Sequence, residues 1–334
     1  MSSIATTRTA GRCFVRVLVT GGAGFIGSNL VDRLLRDGCD VCVLDSFDDF
    51  YSEAEKRANL ESATRSDRFR CVAGDVRDDE LLRRICREFQ PDAIVHLAAR
   101  AGVRPSIETP ALYADVNVRG TANLLAAAAE LEPRPKFVFA SSSSVYGNRD
   151  DAPFRETDPV DRPVSPYAAT KVACELLAHS FHHLHNLPVV GLRFFTAYGP
   201  RNRPDLAVAK FAGLIERGLP VPIFGDGSTR RDYTYIDDVV DGIVRAIQHC
   251  SNFRIYNIGN AHPVQLLDMV QMLGAALGVE PRLERRPEQP GDVRQTFADI
   301  DRAHRELGYD PQTTLAEGLA RYAAWRREQS RLPR

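Results

Sequence analysis

The stretch VRVLVTGGAGFIG (residues 15–27) decides the fold of this 334-residue chain. An apolar run leads into glycines at positions 21, 24 and 27, and a stretch with apolar residues every three or four positions follows. Glycine at this spacing permits a tight turn, close approach of the backbone to a diphosphate and close packing of a helix on a strand. The diphosphate would lie at the helix N-terminus, where unpaired N–H groups favour an anion. The stretch therefore predicts a strand, a phosphate-binding turn and a helix.

An acidic residue follows at the position that a dinucleotide site requires. Asp45 ends the next apolar run, VCVLD, 18 residues after Gly27. A carboxylate there accepts hydrogen bonds from the adenosine ribose and repels a 2′-phosphate, and no arginine directly follows it. Asp75 and Val76 directly follow the third predicted strand, at the level of the sheet edge where the adenine is expected. The pattern favours NAD over NADP.

The first half of the chain alternates strand-like and helix-like segments. This alternation predicts an α/β fold with a Rossmann-type, doubly wound parallel sheet and a smaller C-terminal substrate-binding region. The predicted strands are residues 14–19, 41–44, 69–72, 93–97, 136–140 and 189–195, and the predicted helices are 25–37, 78–89, 111–131 and 166–185. We expect a disordered tail at 1–12, an NAD-binding domain at 13–199 and a region at 200–334 that mainly binds the substrate. Some later segments are expected to return to the first domain.

Composition excludes several classes of function. Lys plus Arg number 43 and Asp plus Glu 44, so no charge surplus indicates nucleic acid or an anionic membrane. No apolar run approaches the roughly 18 residues of a membrane span. Seven cysteines, including Cys39 and Cys42, are interpreted as reduced residues of a cytoplasmic protein. Four histidines between positions 179 and 185 lack acidic or cysteine neighbours, so no metal site is predicted.

Tyr167 and Lys171 lie four residues apart at the start of a predicted helix and therefore share a face. A nearby ammonium favours the phenolate, which makes the tyrosine a better base. Lys171 is one of four lysines in a chain that otherwise uses arginine. The serines at 141–144 close the fifth predicted strand. A hydroxyl there can hydrogen-bond the substrate oxygen from which the tyrosine takes a proton. These residues form the predicted catalytic group.

The chain resembles the extended short-chain dehydrogenase/reductase family over nearly its whole length. The matching motifs, in the family's order, are TGGAGFIG, GDV, HLAA, SSSSVYG, YAATK, LRFFTAYGP and RRDYTYIDD. The resemblance implies that Tyr167 is the catalytic base, that Lys171 assists it and binds the nicotinamide ribose, and that Ser142 is the third catalytic residue. Asn117 is expected to brace a helix bend near Lys171. The predicted NAD-binding residues are Gly21, Gly24, Phe25, Ile26, Gly27, Asp45, Ser46, Asp75, Val76, Leu97, Ala98, Ala99, Asn117, Tyr167, Lys171 and Phe194.

Within this family the chain is most similar to UDP-glucuronate 4-epimerases, as in DSFDDFYSEAEKRANL and GLRFFTAYGPRNRPDLA. The resemblance implies that Tyr167 takes the C4 hydroxyl proton while NAD takes the hydride, which returns to the other face of a 4-keto sugar. Related decarboxylases and 4,6-dehydratases carry an acid before the VYG tripeptide, where this chain has Ser143 and Ser144. A decarboxylase, an epimerase of neutral UDP-glucose or UDP-N-acetylglucosamine, and a non-catalytic NAD sensor remain alternatives.

The resemblance also implies that the region at 200–334 mainly binds the nucleotide sugar, here a UDP-sugar. Neutral-sugar epimerases usually have asparagine at the position of Thr196. The threonine of this chain therefore favours a uronate as the substrate. An arginine pairs well with a carboxylate. Phe224 is placed to stack on uracil, although it could be ordinary core. The predicted substrate-binding residues are Arg104, Ser142, Ser143, Ser144, Tyr167, Thr196, Arg203, Phe224, Arg231 and Arg294. The helices at 111–131 and 166–185 each carry a face rich in alanine and leucine. The equivalent pair forms a dimer in this family, so a homodimer is expected, although these faces could equally be ordinary core.

Overall fold

A central sheet of seven parallel strands organises the chain. The computed structural model describes residues 16–149, 151–287 and 294–331, so the predicted tail at 1–12 lies outside the described residues. The strands are β1 (Arg16–Thr20), β2 (Asp40–Asp45), β3 (Phe69–Ala73), β4 (Ala93–His96), β5 (Lys136–Ser142), β6 (Val189–Phe194), β7 (Thr196–Tyr198), β8 (Val221–Phe224), β9 (Arg230–Tyr235), β10 (Arg254–Ile258), β11 (Pro263–Gln265) and β12 (Leu283–Arg286). The order in the large sheet is β10-β6-β5-β4-β1-β2-β3.

Helices cover both faces of this sheet. They are α1 (Phe25–Arg36), α2 (Glu53–Asn59), α3 (Asp79–Phe89), α4 (Val103–Glu108), α5 (Pro110–Tyr113), α6 (Gly120–Ala129), α7 (Pro166–His185), α8 (Ala207–Glu216), α9 (Ile236–His249), α10 (Leu266–Leu277), α11 (Asp301–Leu307) and α12 (Leu315–Gln329). On one face α1 packs against α9, and on the other α3, α6 and α7 pack side by side. Because both faces are covered, Val17, Leu18 and Val19 of β1 are all fully buried.

The sheet reverses its winding direction between β1 and β4. From β1 the chain continues through β2 to β3, and it then crosses to the other side of β1 to add β4, β5 and β6. The register pairs Thr20 with both Leu44 and His96, so the carboxyl ends of these strands lie at one level. Ligands of open α/β sheets bind in the crevice at such a point. The predicted fold class is confirmed.

The predicted helix at 111–131 is not continuous. The structure places α5 first, then a π-helical turn at Ala114–Arg119, and then α6. The physical reason is Asn117, whose side chain accepts from the Arg100 amide at 2.7 Å and donates to the Arg100 carbonyl at 3.0 Å. These bonds tie the helix to the loop after β4. Periodicity could not reveal the interruption because it depends on a contact 17 residues away in sequence.

The C-terminal part of the chain contributes to two layers. The strand β10 pairs with β6 and completes the edge of the large sheet. The smaller sheets β11-β9-β7 and β12-β8 lie with α8, α10 and α12, which pack against one another. Among the described residues, no helix has the length and apolar character needed to cross a membrane.

Candidate active site

A cavity of about 490 Å³ opens at the carboxyl edge of the sheet. It brings together glycines of the first turn, the ends of β2 and β3, the serines after β5 and the start of α7. The predicted site residues that line it are Gly21, Gly24, Phe25, Ile26, Gly27, Asp45, Ser46, Asp75, Val76, Leu97, Ala98, Ala99, Ser142, Ser143, Ser144, Tyr167, Lys171, Phe194, Thr196 and Arg203. All predicted NAD residues except Asn117, and part of the predicted sugar residues, therefore share one cavity.

The glycine turn leaves no room for side chains. Gly21 has φ +71°, and a Cβ atom there would lie 2.6 Å from the Ala98 amide nitrogen. A Cβ atom on Gly27 would overlap the Gly21 carbonyl oxygen. The backbone of the turn thus packs directly against β4 and α1, and its N–H groups lie at the N-terminus of α1, where an anion is favoured.

Asp45 lies at the end of β2 with its carboxylate oriented by the backbone. One oxygen accepts from the Ala23 amide and the other from the Phe47 amide, both at 2.9 Å. Burial raises the pKa of Asp45, and these hydrogen bonds together with the Lys56 ammonium oppose that rise. Each oxygen retains a lone pair that could accept from a ribose hydroxyl.

The segment after β2 forms a wall of the cavity that sequence reasoning missed. Lys56 is 6% exposed in its side chain and donates to both the carbonyl and the carboxylate of Asp48 at 2.6 Å. Its ammonium lies 4.7 Å from the centre of the Tyr51 ring. Arg100 forms an ion pair with Asp48 from the loop after β4. Lys56 is one of only four lysines in a chain that otherwise uses arginine, and this rarity could have indicated that Lys56 has a specific role.

At the end of β3, Asp75 is fixed by a neighbour. Arg77 donates to both oxygens of Asp75, through Nε at 3.0 Å and Nη2 at 2.7 Å. The same guanidinium reaches Asp115 of the π-helical turn at 2.9 Å. The hydrogen bonds from Arg77 hold the pKa of Asp75 below its usual value, so this wall of the cavity keeps a carboxylate.

The catalytic candidates converge from α7 and β5. Ser165 caps α7 by accepting from the Ala168 amide at 3.1 Å, and this fixes the turn that carries Tyr167. Lys171 Nζ donates to the Ala140 carbonyl at 2.8 Å and lies 5.9 Å from the centre of the Tyr167 ring. Ser142 Oγ accepts from the Ser144 amide at 3.2 Å. The phenol, ammonium and hydroxyl thus line one cavity.

Asn117 does not line the cavity but supports it. Its amide donates to Thr170 Oγ1 at 3.0 Å, next to Lys171 in α7, while its other contacts hold Arg100. The residue therefore connects the loop after β4 to the helix that carries the catalytic candidates. The Thr170 contact lies one residue from Lys171, and the role of Asn117 in bracing the helix bend stays a prediction.

A buried ion pair lies behind the serines. Glu175, one turn after Lys171, accepts from Arg193 of β6 at 2.9 and 2.7 Å. Its Oε1 also accepts from Ser141 at 2.5 Å. Both charged side chains are less than 10% exposed, so the bidentate geometry offsets their loss of water. The pair fixes β5 and β6 relative to α7.

The predicted sugar residues fall into two groups. Thr196 and Arg203 line the cavity with the serines, whereas Arg104, Phe224, Arg231 and Arg294 are not among its lining residues. The Arg104 guanidinium lies 5.7 Å from the centre of the Phe224 ring. Arg231 reaches the Arg294 carbonyl at 3.4 Å. The second group thus consists of two local pairs beyond the enclosed part of the cavity.

The histidines near the end of α7 have other contacts. His182 Nδ1 lies 2.8 Å from the Leu187 carbonyl, and the His179 ring meets Phe253 edge-on. In the described part of the chain, no group of three or more histidine, cysteine or acidic side chains is arranged to hold a metal ion.

Comparison with known proteins places these features in a family. The family described as GDP-mannose 4,6 dehydratase matches residues 18–322. UDP-glucuronate 4-epimerase 4 of Arabidopsis thaliana is 41% identical over 97% of this chain and 78% of its own length. The structure of UDP-glucuronic acid 4-epimerase from Bacillus cereus, in complex with UDP-glucuronic acid and NAD, is 34% identical, with a TM-score of 0.88 and coverage of 94% and 100% of the two chains.

A dehydratase is similarly close in structure. DesIV, a dTDP-glucose 4,6-dehydratase from Streptomyces venezuelae with NAD and TYD bound, is 35% identical with a TM-score of 0.87, and 94% of this chain and 97% of that chain are covered. The predicted family is confirmed by these matches. The chain belongs to the NAD-dependent epimerase/dehydratase family, within the extended short-chain dehydrogenases/reductases.

Proposed function

We propose that the chain catalyses the NAD-dependent C4 epimerisation of UDP-glucuronate to UDP-galacturonate. The observation that carries this proposal is a cavity shared by the glycine turn, the Tyr167–Lys171–Ser142 group and the cationic side chain of Arg203. The turn fits a dinucleotide because Gly21 and Gly27 have no room for a Cβ atom, which keeps the turn tight, and because Asp45 presents a carboxylate at the end of β2. The substrate assignment agrees with the names of the Arabidopsis thaliana and Bacillus cereus proteins described above.

The chain's own side chains account for the proton transfer. Tyr167 accepts the proton of the C4 hydroxyl, and the Lys171 ammonium stabilises the phenolate that this requires. Ser142 hydrogen-bonds the same oxygen. Bound NAD, which the glycine turn and Asp45 would hold, would supply the hydride acceptor for C4, and return of the hydride to the opposite face of the 4-keto sugar would give the epimer. Tyr167 then gives its proton back to the C4 oxygen, so no second redox substrate is consumed.

The acids in the cavity lie away from the catalytic group, which favours epimerisation over dehydration. The described cavity-lining carboxylates are Asp45, Asp48 and Asp75, and all belong to β2, β3 or the segments that follow them. Asp48 is held by Lys56 and Arg100. Ser143 and Ser144, which follow β5 and line the same cavity as Tyr167, carry neutral hydroxyls. Elimination of water across C5 and C6 needs an additional acid–base pair, and these hydroxyls do not supply one.

The test is product analysis by NMR. The purified chain is incubated with UDP-glucuronate, UDP-glucose and UDP-N-acetylglucosamine, and released CO2 is measured in parallel. UDP-galacturonate as the main product supports the proposal. A UDP-pentose with CO2 would establish the decarboxylase, and faster turnover of UDP-glucose would establish the neutral-sugar epimerase. An unchanged uronate without CO2 rules out both uronate reactions.

We also propose that the chain forms a homodimer through α6 and α7. These helices pack side by side, and Leu176 and Leu184 of α7 are 66% and 70% exposed. Two copies that join these helices would cover the leucines. Light scattering of the intact chain and of a Leu176→Glu variant tests this, since the variant is expected to be monomeric. A variant that remains dimeric would place the interface elsewhere.

We place the reaction in the cytoplasm. The six described cysteines are all free thiols, and most of them are buried, as is usual in a reducing compartment. Cell fractionation with an antibody to the chain tests this placement.

A further inference from the structure

Arg203 already has a carboxylate partner within its own loop. Asp205 accepts from Nε at 3.0 Å and from Nη2 at 2.7 Å. The side chain of Arg203 is 17% exposed and that of Asp205 is 40% exposed. Arg203 lines the cavity, while Asp205 is not one of its lining residues. The carboxylate therefore holds the guanidinium without itself lining the cavity.

This pairing divides the guanidinium into two edges. Arginine has five N–H donors in a planar fork, and the Nε–Nη2 edge is occupied by Asp205. Among the hydrogen bonds of the described residues, none engages Nη1 of Arg203. The Nη1–Nη2 edge can receive a second carboxylate in bidentate geometry. The Phe50 ring, 5.1 Å from the guanidinium carbon, covers one face of the plane.

The loop itself is fixed, so the pair has a defined direction. Arg201 forms an ion pair with Asp32 of α1 at 2.8 Å, and Asn29 of α1 donates to the Pro200 carbonyl at 3.2 Å. Leu206 donates to the Arg203 carbonyl at 3.1 Å and closes a turn around Asp205. A rigid loop with a two-point ion pair restricts rotation of the long arginine side chain, which lowers the entropy cost of binding.

Electrostatics agree with this arrangement. Burial opposes the charge of Arg203, but the hydrogen bonds and charge of Asp205 outweigh it, and the pKa of Arg203 lies above its usual value. Tyr167 is close enough for its charge to interact with that of Arg203. The guanidinium thus stays charged beside the catalytic tyrosine.

We propose that Asp205 is a positioning residue that makes the site specific for a uronate. It holds one edge of Arg203 so that the other edge faces the carboxylate at C5 of the sugar. This inference rests on the proposed function. A carboxylate held in two-point contact cannot rotate until its C–C bond aligns with the ketone π system at C4. Asp205 therefore also suppresses loss of CO2 from the 4-keto intermediate.

The experiment compares Asp205→Ala, Asp205→Asn and Asp205→Glu with the parent chain. We measure the KM for UDP-glucuronate and the inhibition constant of UDP-glucose, which serves as a competitor. The fraction of turnovers that release CO2 is measured in parallel. Loss of the carboxylate is expected to raise the KM for the uronate by at least about tenfold and to leave the UDP-glucose constant within about twofold. CO2 release is expected to rise, and Asp205→Glu is expected to restore part of the uronate affinity.

Asp241→Asn is the matched control. Asp241 pairs with Arg245 on α9, and its removal breaks an ion pair of the same type away from the cavity. Equal loss of affinity for UDP-glucuronate and UDP-glucose in the Asp205 variants would show a merely structural role and overturn the proposal. A lower KM for the uronate would overturn it as well, because Asp205 would then compete with the substrate. Failure of the parent chain to convert UDP-glucuronate contradicts the proposed function instead.

Discussion

The proposed role of Tyr167 in proton transfer depends on its phenol oxygen, which Tyr167→Phe removes. In Tyr167→Phe the ring still fills its place against Tyr113, which it meets edge-on at 6.3 Å, but no group remains to take the C4 proton. We expect turnover to fall by roughly 10²–10⁴-fold. Bound NAD, measured by chromatography of the denatured protein, is expected to stay at the parent level.

Tyr256→Phe provides the control for that loss. Tyr256 is in β10, and its hydroxyl donates to Glu306 at 2.8 Å, outside the described lining of the cavity. This variant is expected to keep parental turnover. Full activity in Tyr167→Phe would require another base for the proton.

The Lys56 ammonium is expected to set the lower pH limit of NAD binding. Burial raises the pKa of Asp45, and Lys56 lowers it. Because the ribose hydroxyls need an accepting carboxylate, NAD is released as the pH falls through the Asp45 pKa. Lys56→Met removes the lowering charge, so the pKa of Asp45 rises and NAD is lost at a higher pH than in the parent chain. Retention of NAD after desalting over a pH series measures this.

Lys136 offers a matched comparison, since it is also one of the four lysines. Its ammonium donates to the carbonyls of Ile247 and Gln248, away from Asp45. Lys136→Met is expected to leave the pH limit unchanged. Identical limits in the parent chain and Lys56→Met would show that Lys56 does not tune Asp45.

At the scale of elements, the glycine turn depends on contact between backbones. In Gly27→Ala the new methyl group would overlap the Gly21 carbonyl, so α1 must shift away from β1. We expect loss of bound NAD and a lower Tm in calorimetry. Gly213→Ala on α8 is the control because its added Cβ meets nothing within 4 Å. That change should stabilise the helix by about 0.5–1 kcal/mol. Normal NAD content in Gly27→Ala would contradict the assigned role of the turn.

Elements whose pattern is local could be predicted from the sequence. The strands β2 and β3 and the helices α1, α3 and α7 lie within two residues of their predicted bounds, because buried parallel strands and amphipathic helices have clear periodicities. The family resemblance led us to expect a helix bend at Asn117, but periodicity did not indicate the π-helical turn at Ala114–Arg119, since the contacts of Asn117 there are with the distant Arg100. Segment 46–60 was recognised only as a resemblance. Its place in the cavity wall depends on the Lys56–Asp48 pair, and nothing in local periodicity encodes that contact.

At the scale of the whole molecule, the two predicted regions share one core. A single apolar cluster contains Val17 of β1 together with Ile243 of α9 and Leu319 of α12. The strand β10 extends the sheet beside β6, so the chain returns to the first region after residue 200. Separation of the regions would expose the edge of β6, with which β10 now pairs, and the surface of α1 that α9 now covers. Cooperative unfolding is expected for elements that share a core in this way.

The chain's one tryptophan makes that expectation measurable. Trp325 is in α12 and packs against the shared cluster, so its fluorescence reports on the C-terminal region. Far-UV circular dichroism reports on all helices. During urea denaturation both signals are expected to change with the same midpoint and slope, because loss of α12 opens the core that the sheet needs. A tryptophan transition at clearly lower urea would mean that the C-terminal region unfolds alone. The division at residue 199 would then mark two independently stable domains rather than two regions of one folding unit.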